Sequence, residues 1–403
     1  MKNTIKSIVA ICMMACVMPI AALAQQALGG GSKIVSPEIH ENHTVTFRLR
    51  APKAVKVQVT GDCIPKGVAD LVENKEGVWE YTTPEPLKPE LYGYTFRVDG
   101  LKINDPSNVY MIRDVNTITN VFIIGGERAD LYKVNDVPHG TVSKVWYDSP
   151  SLGMVRRLTI YTPAGYETSG KRYPVFYLLH GSGGDEEAWM DLGRTSQILD
   201  NLIAQGKAEP MIVVMPYANA MPALMKKNPG MRMDMRNLMG TDQFTNEIVK
   251  EIIPYMEKNY RVKTDSANRA LAGLSMGGGG PFVYAQRHPD MFNAAYSTSG
   301  LLDHRYRPKK VHSYENIGWY WSVAATSPVE YVRNATAEQI EKLRTVRWML
   351  DCGDDDGIIF TNLDFFVEMH REKIPVEFRV RNGKHNWAFW REALPLILNF
   401  SFK

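Results

Sequence analysis

The stretch Arg269-Ala-Leu-Ala-Gly-Leu-Ser275-Met-Gly-Gly-Gly-Gly280 decides the fold of the longer part of this chain. A short apolar run, typical of a buried strand, ends in Gly273-Leu-Ser275-Met-Gly277, which is a G-x-S-x-G arrangement. Glycines on both sides of the serine permit a sharp strand-to-helix turn, because they carry no Cβ atom where the backbone bends. Such a turn exposes the serine Oγ to a base and a substrate, so Ser275 is a candidate nucleophile.

The partners that a serine nucleophile requires follow in the expected chain order. A base must take the serine proton, and a carboxylate must hold that base in the right tautomer. In α/β enzymes with this turn, the carboxylate and then the histidine follow the ends of later strands. Here Arg347–Leu350 runs into Asp354-Asp355-Asp356, and Val376–Val380 runs towards His385. The order predicts His385 as general base and one of the three aspartates as its orienting carboxylate.

A second glycine-rich turn follows the most apolar predicted strand. The stretch Leu178-Leu-His180-Gly181-Ser182-Gly183-Gly184 can aim a backbone N–H at a developing oxyanion, paired with the N–H of Met276. A phosphate-binding loop is the competing interpretation. Neither Gly181–Gly184 nor Gly277–Gly280 is followed by the Lys-Ser/Thr pair that such a loop requires. The pattern therefore favours an oxyanion hole.

The remainder of the second half alternates between apolar strand patterns and helical patterns. Such alternation predicts an α/β fold with a mostly parallel sheet. The predicted strands are Leu158–Thr162, Val175–Leu179, Met211–Met215, Ala270–Ala272, Arg347–Leu350 and Val376–Val380, and the clearest helices are Gln197–Ala204 and Phe244–Lys258.

The first half shows a different pattern. Apolar residues alternate in short runs, as at Val45, Phe47 and Leu49, and turn signals such as Val98-Asp-Gly100 separate the runs. This spacing predicts an all-β immunoglobulin-like sandwich. We expect four segments: a signal peptide at 1–24, a sandwich at 33–125, a linker at 126–142 and the α/β domain at 143–403.

The amino terminus resembles an export signal. Lys2 and Lys6 precede an apolar core, and Ala22-Leu23-Ala24 is a small-residue cleavage site. Met14-Ala15-Cys16 offers a weaker alternative, in which Cys16 is lipidated. No later run reaches the roughly 20 apolar residues of a membrane span. We therefore expect an exported protein, periplasmic or extracellular, without an integral span.

Charge and cysteine content exclude further classes of protein. The formal net charge is +3, or +1 without the two lysines of the signal, so we expect no nucleic-acid partner. Cys63 and Cys352 lie far apart and lack metal-site spacing, which predicts two buried thiols rather than a disulfide framework or a metal site.

Four motifs carry a resemblance to a known family. They are Tyr173-Pro-Val-Phe-Tyr-Leu-Leu-His-Gly181, Gly273-Leu-Ser-Met-Gly-Gly278, Cys352-Gly353-Asp-Asp-Asp356 and Gly383-Lys-His385-Asn-Trp387. Residues 143–403 thus resemble the esterase D-like branch of the α/β-hydrolases, and within it carbohydrate esterase family 1, which includes bacterial feruloyl esterases and acetyl xylan esterases. The resemblance implies an α/β-hydrolase domain and ester hydrolysis with neither a metal nor an organic cofactor.

The same resemblance assigns roles to individual residues. The acidic loop of the family reads Gly-x-x-Asp, which selects Asp356, although three adjacent carboxylates leave Asp354 and Asp355 open. The oxyanion donors become the N–H groups of Ser182 and Met276, with Gly181 beside the substrate.

The first domain resembles the immunoglobulin-like domains related to carbohydrate-binding module family 48. Gly77-Val-Trp79-Glu-Tyr81 and Leu91-Tyr-Gly-Tyr94-Thr-Phe-Arg-Val-Asp-Gly100 carry this resemblance. Trp79, Tyr92 and Tyr94 are candidates for stacking on sugar rings. Alternate aromatic residues on strands also fill sandwich cores, which is the competing interpretation.

Substrate expectations come from the resemblance and from the aromatic residues of the second half. We expect release of hydroxycinnamates such as ferulate from arabinoxylan or its oligosaccharides, since a flat acyl group needs an aromatic-lined pocket. Candidates for that pocket are Trp189, Tyr217, Trp319, Trp321 and Trp387. The alternatives are an acetyl xylan esterase, an exported acyltransferase or peptidase, and a non-catalytic carbohydrate-binding protein on the same fold.

Overall fold

The structure is a computed structural model that describes residues 34–219, 246–303 and 327–402. The predicted signal at 1–24 lies outside these residues, as do the candidate pocket residues Trp319 and Trp321. None of the helices in the described ranges is both long enough and apolar enough to span a membrane.

The described chain divides into two compact units. The first consists of residues 34–87 and 93–110, and the second of residues 88–92 and the described residues from 111 onward. Residues 111–124, which the sequence analysis places in the sandwich, cluster with the second unit. The domain boundaries given above therefore stay a prediction, and the two units are described separately here.

The first unit is an all-β sandwich built from alternating side chains. Val45, Phe47 and Leu49 point inward from one strand, as their spacing predicts, and the Phe47 ring lies 4.7 Å from the ring of Tyr94 on the opposing sheet. All strand pairs of the unit are antiparallel, in the sheet orders β1-β2-β6-β5 and β4-β3-β7-β8. The strands are β1 Glu38–Ile39, β2 Val45–Arg50, β3 Val57–Gly61, β4 Val68–Asp70, β5 Val72–Glu73, β6 Val78–Thr82, β7 Glu90–Val98, which starts in the second unit, and β8 Leu101–Ile103.

Two of the three candidate sugar-stacking rings are part of this core. Tyr94 is 1% exposed and donates its hydroxyl hydrogen to Asp105, while Trp79 is 9% exposed and donates its indole N–H to Ala51 O. A buried ring cannot stack on a sugar, so the structure corrects the expectation for Trp79 and Tyr94. Tyr92 is half-buried, and its ring stacks on Phe122 at 5.6 Å.

The second unit contains an eight-stranded sheet in the order β11-β12-β14-β13-β15-β16-β17-β18. Strands β13 to β18 run parallel to one another and β11 and β12 pair antiparallel, which confirms the predicted α/β fold with a mostly parallel sheet. A hairpin of β9 and β10 precedes the sheet. The strands are β9 Met111–Asp114, β10 Thr117–Ile124, β11 Thr141–Ser149, β12 Met154–Thr162, β13 Val175–Leu179, β14 Ile212–Pro216, β15 Arg269–Leu274, β16 Ala294–Thr298, β17 Arg347–Gly353 and β18 Val376–Arg381.

Helices cover both faces of the parallel strands, which explains why those strands are apolar on both sides. Phe282 and Phe365 pack against one face, and Ile198 and Leu394 pack against the other. The helices are α1 Tyr166–Ser169, α2 Ala188–Asp191, α3 Thr195–Ala204, α4 Ile253–Asn259, which follows a π-helical turn at Ile248–Ile252, α5 Met276–Arg287, α6 Pro328–Arg333, α7 Ala337–Leu343, α8 Ile359–Arg371 and α9 Trp387–Ser401.

The segment predicted as a linker is tied to helix α3. Asp200 accepts hydrogen bonds from Gly140 N and, at 3.0 Å, pairs with His139 Nδ1. Asn201 donates to Leu131 O at 3.0 Å. These two buried polar residues of α3 are satisfied by the segment that precedes β11, so residues 126–140 are an integral part of the second unit.

Cys63 and Cys352 are free and buried, as predicted. Burial is also the main reason that the pKa of each thiol lies well above its ordinary value. Both are therefore inert thiols that pack as small apolar side chains.

Candidate active site

Ser275 occupies the sharp turn between β15 and α5 that the sequence predicts. Its backbone has φ 55° and ψ −120°, a conformation that a residue with a Cβ atom seldom adopts. Ser275 N–H donates to Thr298 O at 3.1 Å, which ties the turn to the end of β16. The serine side chain is thereby fixed at the carboxyl edge of the sheet.

The glycines around Ser275 permit close contact between backbones. A Cβ atom on Gly277 would lie 2.7 Å from Leu179 O, and one on Gly278 would lie 2.8 Å from the Cα atom of Gly300. The glycine run therefore reflects tight packing of α5 against neighbouring strand ends. Helix α5 starts directly after Ser275, and Pro281 lies in its second turn.

Ser275, His385 and Asp356 form one chain of hydrogen bonds. His385 Nε2 lies 2.9 Å from Ser275 Oγ, and His385 Nδ1 lies 2.9 Å from Asp356 Oδ2. An ionised carboxylate only accepts, so Nδ1 carries the proton and Nε2 accepts from the serine hydroxyl. The imidazole is 37% exposed, whereas the Asp356 side chain is 1% exposed. A solvent-accessible base thus faces the serine, and a buried carboxylate lies behind it.

The pKa of Asp356 lies below the ordinary carboxyl value. Burial by itself would raise this pKa, but the hydrogen bonds from His385 and from the Ile358 N–H outweigh burial. The carboxyl group is therefore ionised at neutral pH. An ionised group at this place stabilises a positive charge on the imidazole.

The two neighbouring aspartates have other surroundings. Asp354 and Asp355 are exposed, and Asp354 Oδ1 accepts from Gly383 N at 2.9 Å. Asp355 N–H donates to Gly383 O at 3.1 Å. These bonds link the acidic loop to the loop that carries His385. Of the three adjacent carboxylates, the one that contacts the imidazole is that of Asp356.

The turn at Gly181–Gly184 lies directly against the serine. A Cβ atom on Gly181 would approach within 3.2 Å of Ser275 Cβ. Gly184 N–H donates to Gly181 O at 3.2 Å, and Gly183 has φ +80°, which is the geometry of a type II turn. The turn that contains Ser182 therefore lies beside Ser275, the candidate nucleophile, and Met276 follows Ser275 directly.

The predicted acyl-pocket residues lie in different environments. Trp189 is 1% exposed, and its indole N–H donates to Leu179 O at 2.9 Å, so its side chain offers no surface to a ligand in this structure. Tyr217 and Trp387 are half-buried. Trp387 meets the ring of Trp189 edge-to-face at 5.3 Å. Trp319 and Trp321 lie outside the described residues.

The structure gives the contacts of two further residues near the triad. The ring of Trp390 packs edge-on against the imidazole of His385 at 4.9 Å, with the planes 89° apart. His180, at the end of β13, is 2% exposed and bonds to Gly181 O at 2.7 Å. The position of Trp390 shortly after His385 in the sequence indicates the first contact, and the structure shows that the Trp390 ring is buried. Only the position of His180 before the glycine turn could have indicated the second.

The fold is that of the α/β-hydrolases, and the protein is a carboxylic ester hydrolase. A family model described as "Putative esterase" matches residues 149–400, which is more than half of the chain. The chain belongs to this esterase family. This match, together with relatives named feruloyl esterase and ferulic acid esterase, confirms the resemblance to carbohydrate esterase family 1 that the sequence motifs indicate, and an all-β unit precedes the esterase fold.

Known relatives agree with this assignment. The chain is 34% identical over 265 residues to an endo-1,4-beta-xylanase/feruloyl esterase of Xylanibacter ruminicola, a match that covers 64% of this chain and 35% of the relative. A solved ferulic acid esterase is 36% identical, with a TM-score of 0.56 over 66% of this chain and 98% of that structure. The enterobactin esterase of Shigella flexneri is 18% identical, with a TM-score of 0.62 over 88% of this chain and 92% of that structure, and this likeness shows the fold alone.

Proposed function

We propose that this protein is an exported serine esterase that releases hydroxycinnamates such as ferulate from arabinoxylan. The observation that carries the proposal is the hydrogen-bond chain from Ser275 through His385 to Asp356, with both heavy-atom distances at 2.9 Å. The names of two relatives also support the proposed substrate: one is called a feruloyl esterase and the other a ferulic acid esterase. The chain spans only about a third of the first relative, so its polymer substrate is part of the proposal.

In the proposed reaction Ser275 Oγ attacks the ester carbonyl while His385 Nε2 takes the hydroxyl proton. The imidazolium then gives that proton to the departing sugar alcohol, which leaves an acyl-enzyme. Water attacks the acyl-enzyme next, with His385 again as the base, and releases the free acid. Asp356 keeps the proton of the neutral imidazole on Nδ1 and stabilises the imidazolium.

Negative charge on the substrate oxygen is stabilised by backbone donors. The N–H groups of Ser182 and Met276 are the proposed pair, because the turn of the first lies against Ser275 and the second follows it directly. A donor of this kind typically contributes about 3–4 kcal/mol to transition-state stability. Such a pair favours acyl chemistry at a carbonyl.

The aromatic surroundings of the site favour an aromatic acyl group. Tyr217 and Trp387 are half-buried, and Tyr217 stacks on His180 at 5.6 Å with the planes 20° apart. Both rings follow the carboxyl ends of sheet strands, at the edge of the sheet where Ser275 lies, and half-buried rings there suit a flat hydroxycinnamoyl group better than a small polar acyl group. Export fits this substrate, because arabinoxylan is an extracellular polymer and residues 1–24 have the pattern of a signal peptide.

The proposal is tested by two substrates measured side by side. We expect a higher kcat/KM on methyl ferulate than on an acetylated xylo-oligosaccharide. Ser275→Ala should abolish turnover of both, by about 10⁴-fold or more. Ser266→Ala, outside the site, is the matched control and should keep wild-type rates and the same unfolding midpoint.

Each other outcome is informative. Near-normal rates in Ser275→Ala would refute the serine mechanism. A preference for acetate would keep the mechanism and replace the substrate with acetylated xylan. Transfer of the acyl group to an added alcohol in preference to water would indicate an acyltransferase.

A further inference from the structure

A buried histidine lies between the proposed oxyanion turn and the neighbouring strand end. His180 is 2% exposed, and both of its ring nitrogens have backbone partners. Nδ1 lies 2.7 Å from Gly181 O, and Nε2 accepts the N–H of Ala218 at 2.9 Å. His180 thus bridges the turn after β13 and the segment after β14.

The tautomer of His180 follows from these partners. Nε2 accepts an N–H and therefore carries no proton, so Nδ1 carries the proton and donates it to Gly181 O. Burial, the main cause, lowers the pKa of His180 to about 4, which keeps the ring neutral at neutral pH. The ring also stacks on Tyr217, and the Arg156 guanidinium lies 5.0 Å from the Tyr217 ring centroid. The donor at Nδ1 is therefore fixed in place.

The donor acts on the peptide group that contains the Ser182 N–H. In a trans peptide the C=O of one residue and the N–H of the next point in opposite directions. A hydrogen bond that holds Gly181 O towards His180 therefore turns the Ser182 N–H to the other side of the peptide. Gly184 N–H donates to the same oxygen at a longer 3.2 Å, so His180 provides the shorter of the two bonds.

We propose that His180 is a positioning residue, whose Nδ1–H fixes the orientation of the Ser182 N–H in the oxyanion hole. This inference rests on the proposed function, since it assumes that Ser275 is acylated and that Ser182 N–H binds the oxyanion. His180 touches no reacting atom. Its effect reaches the transition state through one peptide plane.

Two amide variants, each reproducing one ring nitrogen, separate the hydrogen bond to Gly181 O from the hydrogen bond to Ala218 N. In His180→Asn the side-chain amide N–H takes the place of Nδ1–H, so the bond to Gly181 O is kept and the bond to Ala218 is lost. In His180→Gln the amide oxygen takes the place of Nε2, so the bond to Ala218 is kept and the donor to Gly181 O is lost. A purely structural histidine would be affected by both losses.

The measurement is kcat and KM on p-nitrophenyl acetate, normalised to the fraction of protein that a fluorophosphonate labels at saturation. Removal of a whole oxyanion donor costs about 10²–10³-fold, so we expect His180→Gln to lose about 10- to 100-fold in kcat with KM within about twofold. His180→Asn should be at least about fivefold faster than His180→Gln. Phenylboronic acid forms a tetrahedral adduct with the serine and so resembles the transition state. Its Ki for His180→Gln should therefore rise by the same factor by which kcat/KM falls.

Specific results overturn the inference. It fails if His180→Gln keeps kcat within about threefold of wild type, or if both variants lose the same factor. His288→Gln, directly after α5, is the control for the same chemical replacement at a histidine outside the site, and it should keep the wild-type kcat. If the wild type is inactive, or if Ser275→Ala is active, the proposed function is refuted and this inference with it. If the wild type is active and His180→Gln is unaffected, only this inference is refuted.

Discussion

Gly277→Ala should damage catalysis more than any other single added methyl group in α5. The new Cβ would lie 2.7 Å from Leu179 O and closer still to His180 O. Ordinary carbon–oxygen contact distances are about 3.3–3.6 Å, so the backbones must separate by roughly 1 Å. Both obstacles are main-chain oxygens, which cannot turn away as a side chain could.

The separation has two consequences of different size. Overpacking of this kind costs about 1–3 kcal/mol of folding stability. The same shift moves the start of α5, and with it Ser275 and the Met276 N–H, away from the turn that carries Ser182. A misplacement of about 1 Å in a catalytic arrangement typically costs around 10²-fold in rate. We therefore expect kcat to fall about 100-fold while most of the protein still folds at 25 °C.

The assay compares Gly277→Ala with Gly280→Ala in the same helix. The nearest atoms to a Cβ on Gly280 would be the side-chain ends of Leu179 and Tyr284, each at 3.1 Å. Alanine also stabilises a helix by up to about 1 kcal/mol relative to glycine. Urea unfolding gives stability, and kcat per labelled site gives activity. Wild-type kcat in Gly277→Ala would refute the reasoning, as would an equal loss in Gly280→Ala.

Three further predictions concern charged groups. Asp356→Asn should lower kcat on p-nitrophenyl acetate by about 10³–10⁴-fold, whereas Asp355→Asn, at an exposed neighbour, should change kcat by less than about threefold. The reverse ranking would contradict the assignment of Asp356 as the partner of His385. His180 has an ordinary pKa of 6.5 and a folded value of about 4, so its contribution to stability is complete above pH 6.5 and is lost as the pH falls towards 4. The loss should reach about 3 kcal/mol in urea unfolding and should disappear in His180→Asn; an unchanged pH slope would count against it. Arg391→Met leaves the buried Glu90 carboxylate without its 3.0 Å partner, so we expect the free energy of unfolding to fall by about 3 kcal/mol. The double variant with Glu90→Gln should partly restore this stability in urea unfolding.

Most strands of the parallel sheet could be predicted because each has a local signal, whereas β16 at Ala294–Thr298 is absent from the predicted strands. Val175–Leu179 is apolar at nearly every position, and the structure buries all five residues between two helical layers. Ser275 and His385 follow strands that the sequence identifies, and parallel strands bring their carboxyl ends to one edge. Local patterns therefore sufficed to bring these two side chains together.

Other features depend on contacts that no local pattern encodes. Asp354, Asp355 and Asp356 are identical in chemistry, and only the path of the loop decides which one reaches His385. Trp79 and Tyr94 lie on strands whose inward face depends on which strands pair. The segment before β11 was predicted as a linker because it is polar, yet its partners are Asp200 and Asn201, about 60–70 residues further along the chain.

The same peptide geometry orients the second proposed oxyanion donor, the Met276 N–H, but with backbone groups only. Ser275 O accepts N–H groups from Gly278 at 2.9 Å, Gly279 at 3.2 Å and Leu301 at 3.3 Å. A carbonyl held by three donors turns the Met276 N–H to the opposite side, since the peptide is trans. These bonds also help to offset the roughly 1–3 kcal/mol that the strained backbone of Ser275 costs. The proposed Met276 donor is therefore oriented by the start of α5 alone, whereas the proposed Ser182 donor is oriented by the side chain of His180 together with the Gly184 N–H. On this proposal, a side-chain substitution can adjust the Ser182 donor without moving Ser275.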